Sequence, residues 1–113
     1  MKRGDIYFAN LDPTMGDEIK KVRPVLIISN NANNKVANTI TVIPITSNTN
    51  KIYPFEVFLD MKDSRLAKNS KAQCHQIRTI SKQRIVNKKI QGVVNDAILV
   101  KIASALKLHL DLN

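Results

Sequence analysis

Tryptophan is absent from this sequence, and two tyrosines and three phenylalanines are its only aromatic residues. So few rings argue against a broad surface for stacking bases. A single cysteine, Cys74, rules out an intramolecular disulfide and fits a reducing compartment. The pair Cys74-His75 makes no zinc site, because there is no second cysteine and the only other histidine is His109, in the tail. No metal and no cofactor is expected. Long apolar runs are missing too, since none approaches the roughly 18 residues of a membrane span. The opening "MKRGD" is charged rather than apolar, so no signal peptide is expected. These absences point to a soluble cytoplasmic protein with no membrane partner. At 113 residues, 43% of them apolar, residues 1–113 are expected to form one domain with a modest core.

Acidic residues are scarce as well. Nine Asp and Glu face eighteen Lys and Arg, leaving a net charge of +9 and a pI near 9.9. Such an excess attracts a polyanion, because each contacted phosphate releases condensed counterions. The bases cluster: Lys20, Lys21 and Arg23; then Lys62, Arg65, Lys68 and Lys71; then Arg78, Lys82, Arg84, Lys88 and Lys89. The acids scatter singly. Many cations and few rings fit a short strand of nucleic acid gripped mainly through its phosphates.

What the chain does have is a series of short β-type segments. "GDIYFANLD" (4–12) alternates as a first strand, and Asp12-Pro13 starts a turn. "VLIIS" (25–29) reads as a strand covered on both faces. "NNANNK" and "SNTNK" read as loops. "TITVIPIT" (39–46) is β-branched, with Pro44 marking an edge or bulge near its end. "YPFEVFLD" (53–60) and "SKAQCHQIRTI" (70–80) read as further strands. Between them "MKDSRLAKNS" is a long loop or a single helical turn, and "SKQR" begins with a serine able to cap a short turn. From Asn95 a helix is predicted: Asn95 caps it, Asp96 suits the positive end of its dipole, and Ile98, Leu99, Ile102, Ala105, Leu106 and Leu110 form one apolar stripe. Several short strands followed by one terminal helix predict a small, mostly antiparallel barrel.

One stretch carries more than fold. In "GDEIKKVRPVLIIS" (16–29), Pro24 fixes its own backbone and pushes Arg23 out of helical geometry. A guanidinium is thereby held at a strand mouth beneath a charged loop, residues 14–21, opened by Gly16. A planar, permanently charged fork in that position matches phosphate oxygens, and it equally suits pairing with a nearby carboxylate. Read as one strand, residues 70–80 put Gln76 and Arg78 on the face of Cys74. Gln76 is suited to a base edge, and Arg78 to a phosphate or a dimer contact. Cys74 reads as an inert strand residue. Tyr53 and Phe55 are candidates to line a groove, although Phe55 reads better as core.

"RGDIYFANLDPTMGDE…VRPVLIIS", followed in order by "VIPITS", "YPFEVFL" and "QIRTISKQR", resembles the MazF/PemK toxins of bacterial toxin–antitoxin modules over nearly the whole chain. The resemblance implies a mainly β fold with a C-terminal helix, a small SH3-like antiparallel barrel of the CcdB/PemK type. It implies a homodimeric, sequence-specific and metal-independent endoribonuclease that cleaves single-stranded RNA by 2′-hydroxyl attack, inhibits translation, and is silenced by a cognate antitoxin. On this likeness Arg23 and Thr46 match catalytic residues, and Glu18 matches an acidic residue of the first loop. Asp17, Lys20, Lys21, Ser47, Phe55, Gln76 and Arg78 are then candidates for binding RNA. The plasmid-encoded branch carries an arginine and an aspartate where this chain has Gln73 and His75, and a histidine where it has Asp17. That acid–base pair is therefore not carried over, and His75, ordinarily titrating near 6.5, becomes a candidate proton shuttle. Two rivals share the fold: a gyrase poison, which relies on a terminal Trp-Gly-Ile where this chain ends "LDLN", and an inactive RNA-binding homologue.

Overall fold

The computed structural model describes Met1 to Asn113. Its strands are β1 (Asp5–Asn10), β2 (Val22–Ile27), β3 (Thr39–Thr46), β4 (Glu56–Leu59), β5 (Ser70–Gln73), β6 (Arg78–Ser81) and β7 (Gly92–Val93). Its helices are α1 (Asn31–Val36), α2 (Met61–Ser64) and α3 (Asp96–Leu110), with 3-10 turns at Cys74–Gln76 and Lys82–Arg84. The strands run in the order β4-β5-β3-β2-β1-β7, with β6 also on β3, and every pairing is antiparallel. The result is a curved, half-open barrel with a terminal helix, as the alternating segments predict.

Strand alternation divides the core into two layers. Ile6, Leu26, Ile43 and Ile45 face Val57, Leu59 and Ala72, and α3 covers them with Ile98, Ile102 and Ala105. The opposite face gathers Tyr7, Ala9, Val25, Ile27 and Val42, closed by Leu11, Ile40 and Ile80, with Ile19 and Ile85 packed alongside. Each fully buried Leu or Ile contributes about 1.5–3 kcal/mol. The side chain of Asn95 accepts from the Ile98 N–H at 2.9 Å, so α3 begins where its cap predicts. Leu99 and Leu106 pack beside the buried stripe, whereas Leu110, in the last turn of α3, is exposed.

Pro44 has a specific place. Along one edge β3 pairs with β6 through Thr39–Val42 and with β5 through Ile45–Thr46. Pro44 falls between these ladders, so its missing N–H costs no bond on that edge.

Three sequence expectations are corrected. "NNANNK" is helix α1 rather than a loop: the Asn30 side chain accepts from the Asn33 N–H at 2.8 Å, and buried Asn34 bonds Ser29. Asparagine favours caps as much as turns, so a run of it hides a helix. Residues 70–80 are two strands interrupted by a 3-10 turn. Cys74 is therefore not a strand residue; it points into the α3-covered core, while Gln76 and Arg78 point elsewhere. Phe55 precedes β4 and belongs to neither core layer; it is half-buried against other rings.

One ion pair is buried between β4 and β5. Lys71 Nζ lies 3.0 Å from Glu56 Oε1 and donates to the Lys51 carbonyl at 2.7 Å. Burial pushes the Glu56 carboxyl up, but the Tyr53 N–H, Lys71 and Gln73 together outweigh it and hold the pKa below 4.5. A carboxyl so depressed stabilises the fold above that value, and the contribution is lost as pH falls through the lower folded pKa. Glu56→Gln strands a buried ammonium and is expected to cost about 3–5 kcal/mol at neutral pH. Urea unfolding at neutral pH and below 4.5 should show the gap between wild type and Glu56→Gln closing on acidification; a constant gap contradicts this role.

Candidate active site

Arg23 lies where β2 leaves the barrel, opposite Ala9 of β1. The β2–β3 register pairs Ile27 with Val42, Leu26 with Ile43 and Val25 with Pro44. Extended by two residues, it sets Arg23 across from Thr46, and both line one cavity of about 270 Å³ with Pro24, Ser47 and Lys68. The Arg23 side chain is exposed, and its Nε donates to the Lys20 carbonyl at 3.2 Å. That bond uses the inner nitrogen and leaves the two-pronged end of the guanidinium pointing outward. Phe8, Leu66, Ser70 and Gln91 complete the wall.

The loop between β1 and β2 is held in place largely through its backbone. The Gln76 amide clamps it from the 3-10 turn: Oε1 accepts from Ile19 N–H at 3.4 Å, and Nε2 donates to the Asp17 carbonyl at 3.3 Å. Glu18 Oε1 accepts from Met15 N–H at 2.7 Å, closing a turn within the loop. Lys21 adopts a left-handed backbone (φ 67°), and its N–H donates to Asp12 Oδ1 at 3.1 Å. Asp17, Lys20 and Lys21 are exposed. A second cavity, about 330 Å³, is lined by Glu18, Ile19, Pro44, His75, Gln76 and Arg78. Pro44 and Thr46 are two residues apart on β3, so this cavity opens on the face from which Thr46 projects.

Next to it stands a row of rings. Tyr53 stacks on Phe55 with centroids 5.5 Å apart, Phe55 meets the edge of His75 at 4.4 Å, and His75 lies 6.3 Å from His109 of α3. Burial lowers the His75 pKa below 6.5; Glu56 opposes this, while His109 and Lys71 add to it. His75 is therefore a neutral imidazole at pH 7, and its Nδ1 is buried without a hydrogen-bond partner. Burial and the nearby Glu56 charge push the Cys74 thiol up to about 12, which keeps it protonated and unreactive.

The basic clusters divide by use. Arg78 donates to the Leu11 carbonyl at 3.1 Å, Arg84 to the carbonyls of Asn10 and Asp12, and Lys82 to that of Asn34. Arg78 and Arg84 thereby hold the end of β1 and the loop after it, Lys82 ties the 3-10 turn to α1, and Lys71 is consumed by Glu56. Arg23, Thr46 and Ser47 share one cavity; Glu18, His75, Gln76 and Arg78 share the other; Phe55 adjoins His75; Lys21 lines neither. Lys68, Gln91 and His109 join these groups without having been singled out. Lys68 was visible within a basic cluster, but nothing local to Gln91 or His109 signals where the chain returns. Nowhere do three His, Cys, Asp or Glu side chains converge as a metal site would require.

A sequence model of the family described as PemK-like, MazF-like toxin of type II toxin-antitoxin system matches residues 2–110. The chain is 42% identical over 117 aligned residues to "Endoribonuclease MazF9" of Mycobacterium tuberculosis, covering 99% of this chain and 98% of that one. It is 39% identical to "Endoribonuclease EndoA" of Bacillus subtilis, over 99% of this chain and 96% of that one. Among solved structures, a mycobacterial endoribonuclease in complex with its cognate antitoxin superposes with a TM-score of 0.79 at 26% identity, covering 100% of this chain and 97% of that one. MazF from Deinococcus radiodurans, at 23% identity, shares the fold with a TM-score of 0.83 over 98% of this chain and 96% of that one. With the family model spanning almost all of the chain and full-length relatives at this identity, the protein belongs to the PemK-like, MazF-like toxins of type II toxin–antitoxin systems.

Proposed function

We propose that this chain is a toxin endoribonuclease that cleaves single-stranded RNA at a short sequence without a metal, works as a cytoplasmic homodimer, and is neutralised by a cognate antitoxin. The observation that carries the reading is the shared cavity of Arg23 and Thr46 at the ends of β2 and β3. Support for the antitoxin comes from the related mycobacterial endoribonuclease, which was solved bound to its own.

The substrate supplies its own nucleophile. The 2′-oxygen attacks the adjacent phosphorus, a five-coordinate phosphorane forms, and the bond to the 5′-oxygen breaks. The products are a 2′,3′-cyclic phosphate and a 5′-hydroxyl. One group must take the 2′ proton and one must give a proton to the departing oxygen. In this reading the outward prongs of Arg23 hold two non-bridging oxygens as negative charge accumulates, and Thr46 donates its hydroxyl to one of them with Ser47 beside it. Pro24 and the Lys20 carbonyl preorganise the arginine, so little reorganisation is left to the moment of reaction. Glu18 and His75 border the second cavity and are the candidates for moving protons. Asp17, Lys20, Lys21, Gln76 and Arg78 frame the path of the strand, the last two through the loops they brace.

Wild-type protein is expected to cut RNA into discrete fragments in EDTA. Arg23→Leu should lose about 100-fold or more in kcat with its melting temperature kept, and Arg23→Lys should stay impaired because a point charge lacks the fork. Arg23→Leu cutting at the native rate would sink the assignment. Intact RNA retained on a gel would instead favour an inactive binder, and trapped gyrase complexes the poison. If His75 moves the proton, its lowered pKa puts the acidic limb of the rate profile below pH 6.5, and His75→Ala should abolish that limb; an unchanged profile removes it from the mechanism. For the loop, Gln76→Ala should speed amide exchange at Ile19 about 5-fold in RNA-free protein, the effect of losing roughly 1 kcal/mol. Equal exchange would mean that the clamp does not hold the loop.

A further inference from the structure

We propose that Tyr53, backed by Phe55 and His75, is a stacking platform for one unpaired base of the bound RNA, resting on the ribonuclease reading above. The ring is 47% exposed, yet it is not free. Phe55 lies parallel to it, with 7° between the planes, and His75 supports Phe55 from the edge. The backbone at Tyr53 and just before it is tied to the buried ion pair. Its own N–H donates to Glu56 Oε1 at 2.9 Å, the oxygen that also holds Lys71, and Lys71 Nζ bonds the Lys51 carbonyl and sits 5.9 Å from the Tyr53 centroid.

A buried ion pair is a poor source of stability, since an apolar pair of similar volume commonly does as well. What this one supplies is position. It fixes a protruding aromatic ring on a connecting segment that would otherwise be mobile. A rigid ring is useful for binding because little ordering entropy remains to be lost when a partner stacks on it.

The location fits the same RNA strand. Thr46 and Lys71 are directly paired across β3 and β5, so their side chains leave the sheet on one face. Lys71 ends at Tyr53, which places the ring one lysine side chain away from Thr46. A base next to a phosphate held by Arg23 and Thr46 can reach it. Stacking on a phenol tolerates any base and requires that the base be unpaired, which favours single strands over duplex.

The intrinsic fluorescence offers a direct test, because there is no tryptophan and the only other tyrosine, Tyr7, is buried in the core. Wild-type protein is titrated with a single-stranded substrate carrying 2′-deoxyribose at the cleaved position. Quenching of tyrosine emission is expected on binding. Tyr53→Leu should weaken affinity about 10-fold or more, and Tyr53→Phe should restore it while abolishing the signal. The proposal is overturned if wild-type protein cuts RNA yet binds this strand without quenching, or if Tyr53→Leu binds as tightly as wild type. It is also overturned if light scattering shows Tyr53→Leu changing only the oligomeric mass, which would assign the ring to a contact between copies. Wild-type protein that neither cuts nor binds RNA overturns the ribonuclease reading itself.

Discussion

Strand β3 changes partners at Pro44, and much else in the molecule depends on that exchange. Along its outer edge it pairs with β6 from Thr39 to Val42 and with β5 at Ile45 and Thr46, while β2 holds its other edge from Val42 to Pro44. The sheet bends there, and Ile45 stays in the core while Thr46 emerges at the rim. Because β2 runs antiparallel beside it, the residue that emerges opposite Thr46 is Arg23, stiffened by its own proline. Two prolines on neighbouring strands therefore frame the two side chains that meet in one cavity. The arrangement is built from backbone constraint, which is the form of preorganisation that the proposed phosphorane stabilisation requires.

Electrostatics follow the same division between scaffold and site. The net charge is +9, and of the eighteen Lys and Arg side chains only Lys71 is held in an ion pair, with Glu56. Arg78, Lys82 and Arg84 instead donate to backbone carbonyls, which satisfies their hydrogen bonds without cancelling their charge. They pin neighbouring segments and still contribute to a field that attracts a polyanion. Cation clusters in the sequence thus do not separate the cations tied to backbone carbonyls from those left exposed.

Much of the fold was legible because the relevant signals are local. "TITVIPIT" is strand β3 from end to end and Asn95 caps α3, whereas the strand read over 25–29 is β2 at Val22–Ile27, which takes Arg23 and Pro24 into its first residues. What escaped depends on distant partners or on ambiguous chemistry. The 3-10 turn at Cys74–Gln76 has no Gly or Pro to announce it, and β-type neighbours on both sides disguise it. Helix α1 was hidden by asparagines that serve turns and caps alike. Lys71 looked like a free cation because its carboxylate partner lies 15 residues earlier. The ring row went unseen for the same reason, since Tyr53, His75 and His109 meet only after folding. The family likeness added candidate roles at Arg23 and Thr46 that residue type alone left open.

At the centre of this account stands an arginine fork meeting a phosphate attacked by its own neighbouring 2′-oxygen. The chemistry left on the fragment ends tests it most directly. RNA digested in EDTA should carry 2′,3′-cyclic phosphates on the upstream fragments and 5′-hydroxyls on the downstream ones, by mass spectrometry. Fragments bearing 3′-hydroxyl and 5′-phosphate ends would contradict it, because those ends arise from attack by an external nucleophile rather than by the 2′-oxygen.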